Sequence, residues 1–340
     1  MKDTMLAAVF EGEGKLALKQ VPVPKLESDD QVILRVEAVS ICGTDVHICA
    51  VPPGYIATPN TILGHEFVGT VVEKGAAVEH LKVGDRAVVN PNDYCGVCVY
   101  CRKNLPNECE DIAALGIHVD GAFAEFTRVS GKVAYPISKS VAAEQAACAE
   151  PLACVINGTK KVCVKPGETT TVIGAGPIGL LMSMMFKASG AAKVIIAERA
   201  PFRVEHARKM KVGRVVDVTK ENLKDVVMEE TGIGSDVVAD VTGSQLATAI
   251  DCARKGGKVL VFGVNTTAVA EFHQCDVTFK ELQVLGTWLA NATFPEAVRV
   301  LESGLLDIDA LITDTLPLTE IHRGLETLAK GEAVKIIVKP

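Results

Sequence analysis

The sequence predicts an α/β protein of two domains, a doubly wound parallel sheet with helices on both faces and a β-rich, barrel-like partner. Three observations predict it. The chain has 340 residues, about twice the ~150 of a typical domain. Between about residues 168 and 290, apolar strand-like runs alternate with amphipathic segments of helix length, as parallel sheets require. Before that, residues 1 to about 150 carry short β-rich runs punctuated by Gly, Pro and Asp.

In the first region Gln31–Val39, Phe67–Glu73 and Arg86–Asn90 read as strands. In the second, the strands are Thr170–Ile173, Lys193–Ala197, Val237–Asp240 and Lys258–Phe262. The helices between them are Ile178–Ser189, Pro201–Met210 and Ser244–Ala253. The tail reads as a helix at Pro295–Glu302, a second at Leu318–Lys330 and a final strand at Val334–Val338. Pattern alone does not say which domain the tail joins.

Composition narrows the function classes. The chain is 48% hydrophobic but only 4% aromatic, so its core must rest on Val, Ile, Leu and Ala. A net charge of −7 without a long basic run argues against a nucleic-acid partner. Met5 to Phe10 is a short apolar run closed by Glu11, unlike a signal peptide. Ile178 to Phe186 ends at Lys187, short of the ~20 residues of a membrane span. The expectation is a cytoplasmic protein with no membrane or nucleic-acid partner. Eleven cysteines, an odd count, point to thiols and metal ligands rather than a disulfide framework.

Four of those cysteines, Cys95, Cys98, Cys101 and Cys109, form C-x2-C-x2-C-x7-C. Four soft thiolates satisfy Zn²⁺ tetrahedrally and leave no open position, so the expected site is structural and closed. Chance clustering of buried thiols and an Fe–S cluster are the alternatives. A second, looser set comprises Cys42, His65, Glu66 and Glu150. One thiol, one imidazole and one or two carboxylates match a catalytic zinc that keeps a position for water or substrate. The same residues also suit a plain core thiol, a hydrogen-bonded histidine and solvated charges.

Thr170 to Ile173 runs into Gly174-Ala175-Gly176-Pro177-Ile178-Gly179 and an apolar helix. This is G-x-G-x-x-G between strand and helix. Gly174 serves the tight turn, Gly176 the approach of a pyrophosphate, and Gly179 the packing of helix on strand. The next strand ends in Glu198, about 20 residues on, where an acidic group meets ribose hydroxyls and favours NAD over NADP. Arg199 beside it pulls the other way.

Together these motifs, with Cys42-Gly43-Thr44-Asp45-Val46-His47, Gly64-His65-Glu66-Phe67-Val68-Gly69, Lys82-Val83-Gly84-Asp85-Arg86 and Glu150-Pro151-Leu152, resemble the zinc-containing medium-chain alcohol dehydrogenases. The resemblance covers nearly the whole chain and is closest to the polyol, butanediol and threonine dehydrogenase branch. It implies a discontinuous GroES-like catalytic domain (residues 1–155 and 292–340) and a Rossmann dinucleotide-binding domain (residues 156–291). It implies two zinc ions per subunit. Cys42 and His65 would ligate the catalytic one, with Glu66 and Glu150 binding it directly or holding its water. Asp45 would orient a ligand, and Thr44 and His47 would relay the proton. Ile178, Glu198, Arg203, Phe262, Gly263, Val264, Thr287 and Trp288 match cofactor contacts.

The implied reaction is hydride transfer between a secondary alcohol or polyol, sugar-alcohol phosphates included, and NAD(H), with NADP the less favoured cofactor. L-Threonine 3-dehydrogenase is the alternative, since Cys42 to His47 is shared with it. A non-catalytic zinc- and nucleotide-binding relative would lack Cys42, His65 or the relay. A zinc-free quinone reductase would lack the quartet too. Sorbitol-type enzymes carry a substrate-binding Arg where Leu289 stands here, and Gly286-Thr287-Trp288 looks more like the galactitol-phosphate type. Tyr55, Ile117, Trp288 and Leu289 are candidates for the substrate wall. The partners expected are a small-molecule alcohol or ketone and further copies of the chain, as a tetramer or dimer.

Overall fold

The computed structural model describes residues 3–340, so the first two residues of the expected 1–155 segment lie outside it. The chain forms two compact units. One comprises the chain up to Ala153 together with Ala290–Pro340, and the other is Cys154–Leu289.

The first unit is built on a seven-stranded sheet. Its path runs Ala134–Pro136, Arg86–Val89, Glu66–Lys74, Gln31–Ser40, Lys335–Lys339 and Ile312–Pro317, with Phe126–Ser130 also paired to Gln31–Ser40. Val, Ile and Ala dominate these strands, as half-buried pleated surfaces favour. A smaller sheet of Lys15–Pro22, Thr4–Gly12 and Thr61–Ile62 completes the β-rich body. Phe67 and Phe123 are among its fully buried side chains, each contributing about 1.5–3 kcal/mol through burial. The tail belongs to this unit: Lys335–Lys339 pairs antiparallel with Gln31–Ser40, Val338 facing Val39. That pairing is non-local and invisible to periodicity.

The second unit holds a six-stranded, all-parallel sheet in the order Arg214–Asp217, Lys193–Glu198, Thr169–Ile173, Ser235–Asp240, Ala253–Val261 and Gln283–Gly286. Strand order reverses beside Thr169–Ile173, the first strand, which is the doubly wound arrangement.

Several elements differ from the sequence reading, among them the strand read as Lys258–Phe262, which runs from Ala253 to Val261. The helix expected at Ser244–Ala253 is confined to Leu246–Cys252. The Asp240 carboxylate accepts the amides of Thr242, Gly243 and Gln245, fixing a turn there, and Ala253 opens the next strand. The helix expected at Leu318–Lys330 starts as a 3-10 turn, Leu318–Glu320, before Ile321–Ala329. Ala149–Val162 is a 14-residue helix between the two regions, where the sequence reading assigned no element.

Candidate active site and metal centres

The four quartet sulfurs lie within 4.8 Å of one another. Backbone amides are aimed at them: Cys95 N–H at Cys109 Sγ (3.3 Å), Cys98 N–H at Cys95 Sγ (3.3 Å) and Cys101 N–H at Cys98 Sγ (3.5 Å). Amide donors favour thiolates. The N–H groups of Cys101 and Glu110 pull the Cys98 thiol down to about 6. Desolvation, reinforced by neighbouring thiols, pushes Cys101 up to about 12. Such crowding of sulfur suits a dication that all four can ligate. The lobe around them, residues 90–115, has little else to hold it, because Val97, Val99, Tyr100 and Leu105 are exposed and the Val99–Arg102 helix buries nothing.

Cys42, His65 and Glu66 also come within 4.8 Å of one another. Strand register does this. Ser40 pairs with Glu66 across the Gln31–Ser40 and Glu66–Lys74 strands, so Cys42 leaves one strand beside His65 entering the other. Cys42 then caps the Gly43–Ile48 helix, its amide donating to Asp45 Oδ2 at 2.8 Å. Asp45 Oδ1 lies 3.6 Å from His65 Nδ1, and both atoms are buried without a hydrogen-bond partner. A buried thiol and imidazole within ligand distance of one another, with a carboxylate beside the ring, form a donor set that suits a metal ion. Burial opposes the charge on His65, but Asp45, Cys42 and Glu66 outweigh it and raise its pKa well above the usual imidazole value. Burial, with Glu66 adding to it, raises the Cys42 thiol.

Glu66 is 1% exposed and is held by two donors on Oε2, the Ser40 hydroxyl and the Lys335 ammonium. Lys335 Nζ also donates to the Ile41 carbonyl at 3.3 Å. One buried cation thus fixes the residues adjoining both Cys42 and His65. Glu150, expected among the ligands, is buried in the first turn of Ala149–Val162 but lies outside the group of atoms within 4.8 Å. Among the described residues, the group that gathers at Cys42 and His65 includes Glu66, which follows His65 directly, and not Glu150, which comes from a separate helix.

Thr44 and His47 sit one turn apart on the Gly43–Ile48 helix, Thr44 half-buried and His47 exposed. Gly54 closes over the imidazole: its amide donates to the His47 carbonyl at 2.9 Å, and a Cβ there would lie 3.1 Å from His47 Nδ1. Tyr55 and Ile117 pack against the core of the same unit.

In the second unit, Gly174 adopts φ +112°, which L side chains avoid, and Gly176 precedes the Pro177–Ala188 helix. A Cβ on Gly179 would lie 1.9 Å from the Gly174 carbonyl oxygen, whereas one on Gly176 would meet only Arg203 Nη1 at 3.8 Å. The open space above Gly176, at a helix N-terminus, fits a pyrophosphate. Ile178 is half-buried in the first turn of that helix. Glu198 closes the turn, accepting Ala175 N–H on Oε2 (2.8 Å) and Arg199 and Ala200 N–H on Oε1 (2.7 and 2.9 Å). The amides of Phe262 and Gly263 donate to the Asp240 carbonyl, leaving Val264 exposed, and Thr287 N–H donates to Val261.

Two domain models match this chain, the alcohol dehydrogenase GroES-like domain over residues 28–139 and the zinc-binding dehydrogenase domain over residues 177–303. D-arabinitol dehydrogenase 1 of Uromyces fabae is 33% identical, covering 99% of this chain and 97% of its own. The chain belongs to the zinc-containing medium-chain alcohol dehydrogenases. L-threonine 3-dehydrogenase of Caldanaerobacter subterraneus is 34% identical over 99% of this chain and all of its own. A solved Sinorhizobium meliloti 1021 chain bound to NADP superposes with a TM-score of 0.92, at 32% identity, covering 100% of both chains. As a member of this family the chain is an oxidoreductase acting on CH–OH groups with a nicotinamide cofactor, and its two clusters are able to hold zinc. Among the described residues, no helix is long and apolar enough to cross a membrane.

Lys335 and Ser40 are the site residues that sequence reading missed. A lysine inside the apolar run Val334 to Val338 was the available signal, since such a residue must be paired if buried.

Proposed function

We propose that the protein oxidises a secondary alcohol or polyol, sugar-alcohol phosphates included, to the ketone, passing hydride to NAD and releasing one proton. The observation that carries this reading is the Cys42, His65 and Glu66 cluster, with Glu66 held by Lys335. Cys42 and His65 are the protein ligands of the catalytic zinc, and Cys95, Cys98, Cys101 and Cys109 hold the structural one. When bound, the catalytic zinc supplies Lewis acidity that eases loss of the hydroxyl proton, and the nicotinamide supplies the hydride acceptor.

The chain's own residues do the rest. Asp45 orients the His65 ring. Glu66, and Glu150 from its separate helix, supply the carboxylates of the centre. Thr44 relays the hydroxyl proton, taking it up as it gives up its own, and His47, exposed on the same helix, passes a proton on to water. Gly174, Gly176, Ile178 and Gly179 cradle the pyrophosphate. Glu198 and Arg203 adjoin the adenosine, and Phe262, Gly263, Val264, Thr287 and Trp288 line the nicotinamide half. Glu198 supports NAD over NADP through its fixed negative charge.

The threonine dehydrogenase at 34% identity supports a second reading, L-threonine as substrate. NADH production over secondary alcohols, polyols, sugar-alcohol phosphates and threonine, with and without a zinc chelator, decides between them. Turnover of none of these, or turnover indifferent to zinc removal, refutes the proposal. We also place the protein in the cytoplasm, where eleven cysteines outside any disulfide persist, and as a homodimer or homotetramer. The edge strand Gln283–Gly286, with Val284 exposed, supports self-association.

A further inference from the structure

Within the second unit, the later turns of the Ala149–Val162 helix hold one short turn through three residues. Asn157, 5% exposed, donates both amide hydrogens from Nδ2, to the Trp288 carbonyl at 3.2 Å and the Leu289 carbonyl at 2.8 Å. Lys161, one turn on, donates from Nζ to the Gly286 carbonyl at 2.8 Å. Gly158, between them, lets the helix lie close: a Cβ there would stand 3.1 Å from Leu260 Cδ2, 3.3 Å from Phe262 Cδ2 and 3.5 Å from Thr287 Cγ2.

One NH₂ group can serve two successive carbonyls only if both point the same way. Leu289 meets that condition with φ +51°, a left-handed conformation that a leucine adopts at a cost of about 1–2 kcal/mol. Surrounding contacts must therefore hold it, and the buried Asn157 side chain bonds the carbonyls on both sides of the Leu289 Cα, those of Trp288 and Leu289. The turn follows the carboxyl end of Gln283–Gly286, where open parallel sheets place their ligands.

We propose that Asn157 is a positioning residue for the cofactor, setting the Thr287–Leu289 turn for the nicotinamide half. The inference rests on the reading that Thr287 and Trp288 contact NAD. It predicts that losing Asn157 weakens NADH but spares ADP, which lacks the nicotinamide.

Trp288 is the sole tryptophan, so its fluorescence reports on this turn. NADH and ADP affinities are measured on the zinc-loaded protein and on Asn157→Ala, with energy transfer from Trp288 to NADH as the signal. The expected result is an NADH Kd raised about tenfold or more, from carbonyls left unsatisfied, with an ADP Kd within twofold. Asn157→Asp keeps the side-chain volume, removes the donors and should behave alike; it serves if the alanine variant does not fold. NADH affinity unchanged in a folded variant, or NADH and ADP weakened equally, overturns the proposal while leaving the cofactor reading intact. Absence of energy transfer in the unmodified protein overturns both.

Discussion

The Lys335 ammonium pairs with the Glu66 carboxylate, and each side chain is 2% exposed. A buried pair of this kind adds little net stability, but breaking it leaves a charge stranded. Lys335→Met should cost about 3–5 kcal/mol, and Lys335→Met with Glu66→Gln should recover most of that in urea titration. Equal losses in the single and double variants would mean the pair is not coupled.

The same pair sets a pH dependence in the metal-free protein. Burial works to raise the Glu66 pKa, but Lys335, then His65, outweighs it and leaves the carboxyl below its ordinary 4.5. A depressed folded pKa contributes stability that is complete above the unfolded value and is lost as pH falls through the folded one. Urea midpoints from pH 7 down to pH 3 should fall more steeply for the unmodified protein than for Lys335→Met. Parallel slopes would contradict this.

The glycine turn separates folding from binding. Gly179→Ala drives a Cβ to within 1.9 Å of a carbonyl oxygen and should abolish stable folding of the second unit. Gly176→Ala meets only Arg203 Nη1 at 3.8 Å, so it should fold normally and lose NADH affinity by about tenfold or more, a methyl now occupying the phosphate approach. Circular dichroism and NADH titration distinguish them. Tight NADH binding by Gly176→Ala would remove the pyrophosphate from that turn.

The proton relay is tested by Thr44→Val, which keeps the shape and removes the hydroxyl. It should lower kcat by about 10²–10⁴ at neutral pH while NADH affinity stays within twofold. An unchanged kcat would take Thr44 out of the path.

How much of this was readable depends on how far apart in sequence each contact is made. The quartet was readable because its four ligands fall within one short lobe, and the parallel sheet because its alternation is local. The grouping of Cys42 with His65 was ambiguous from spacing, since a strand register creates it and motif resemblance alone suggested it. Lys335 was missed because it reaches Glu66 from 269 residues away. Asn157 was missed because no motif marks it, and its partners are backbone carbonyls, which sequence does not distinguish. The Leu246–Cys252 helix starts late for the same kind of reason, an aspartate side chain competing for the amides.

Zinc content of purified chains bears most directly on the central claim, that Cys42 and His65 hold a metal separate from the cysteine quartet. The unmodified protein should carry two zinc ions per chain. Cys42→Ser should carry one, bind NADH normally and turn over no alcohol, while Cys98→Ser should lose the other ion and expose the 90–115 lobe to proteolysis. Two zinc ions retained in Cys42→Ser, or full activity with one, would contradict the account.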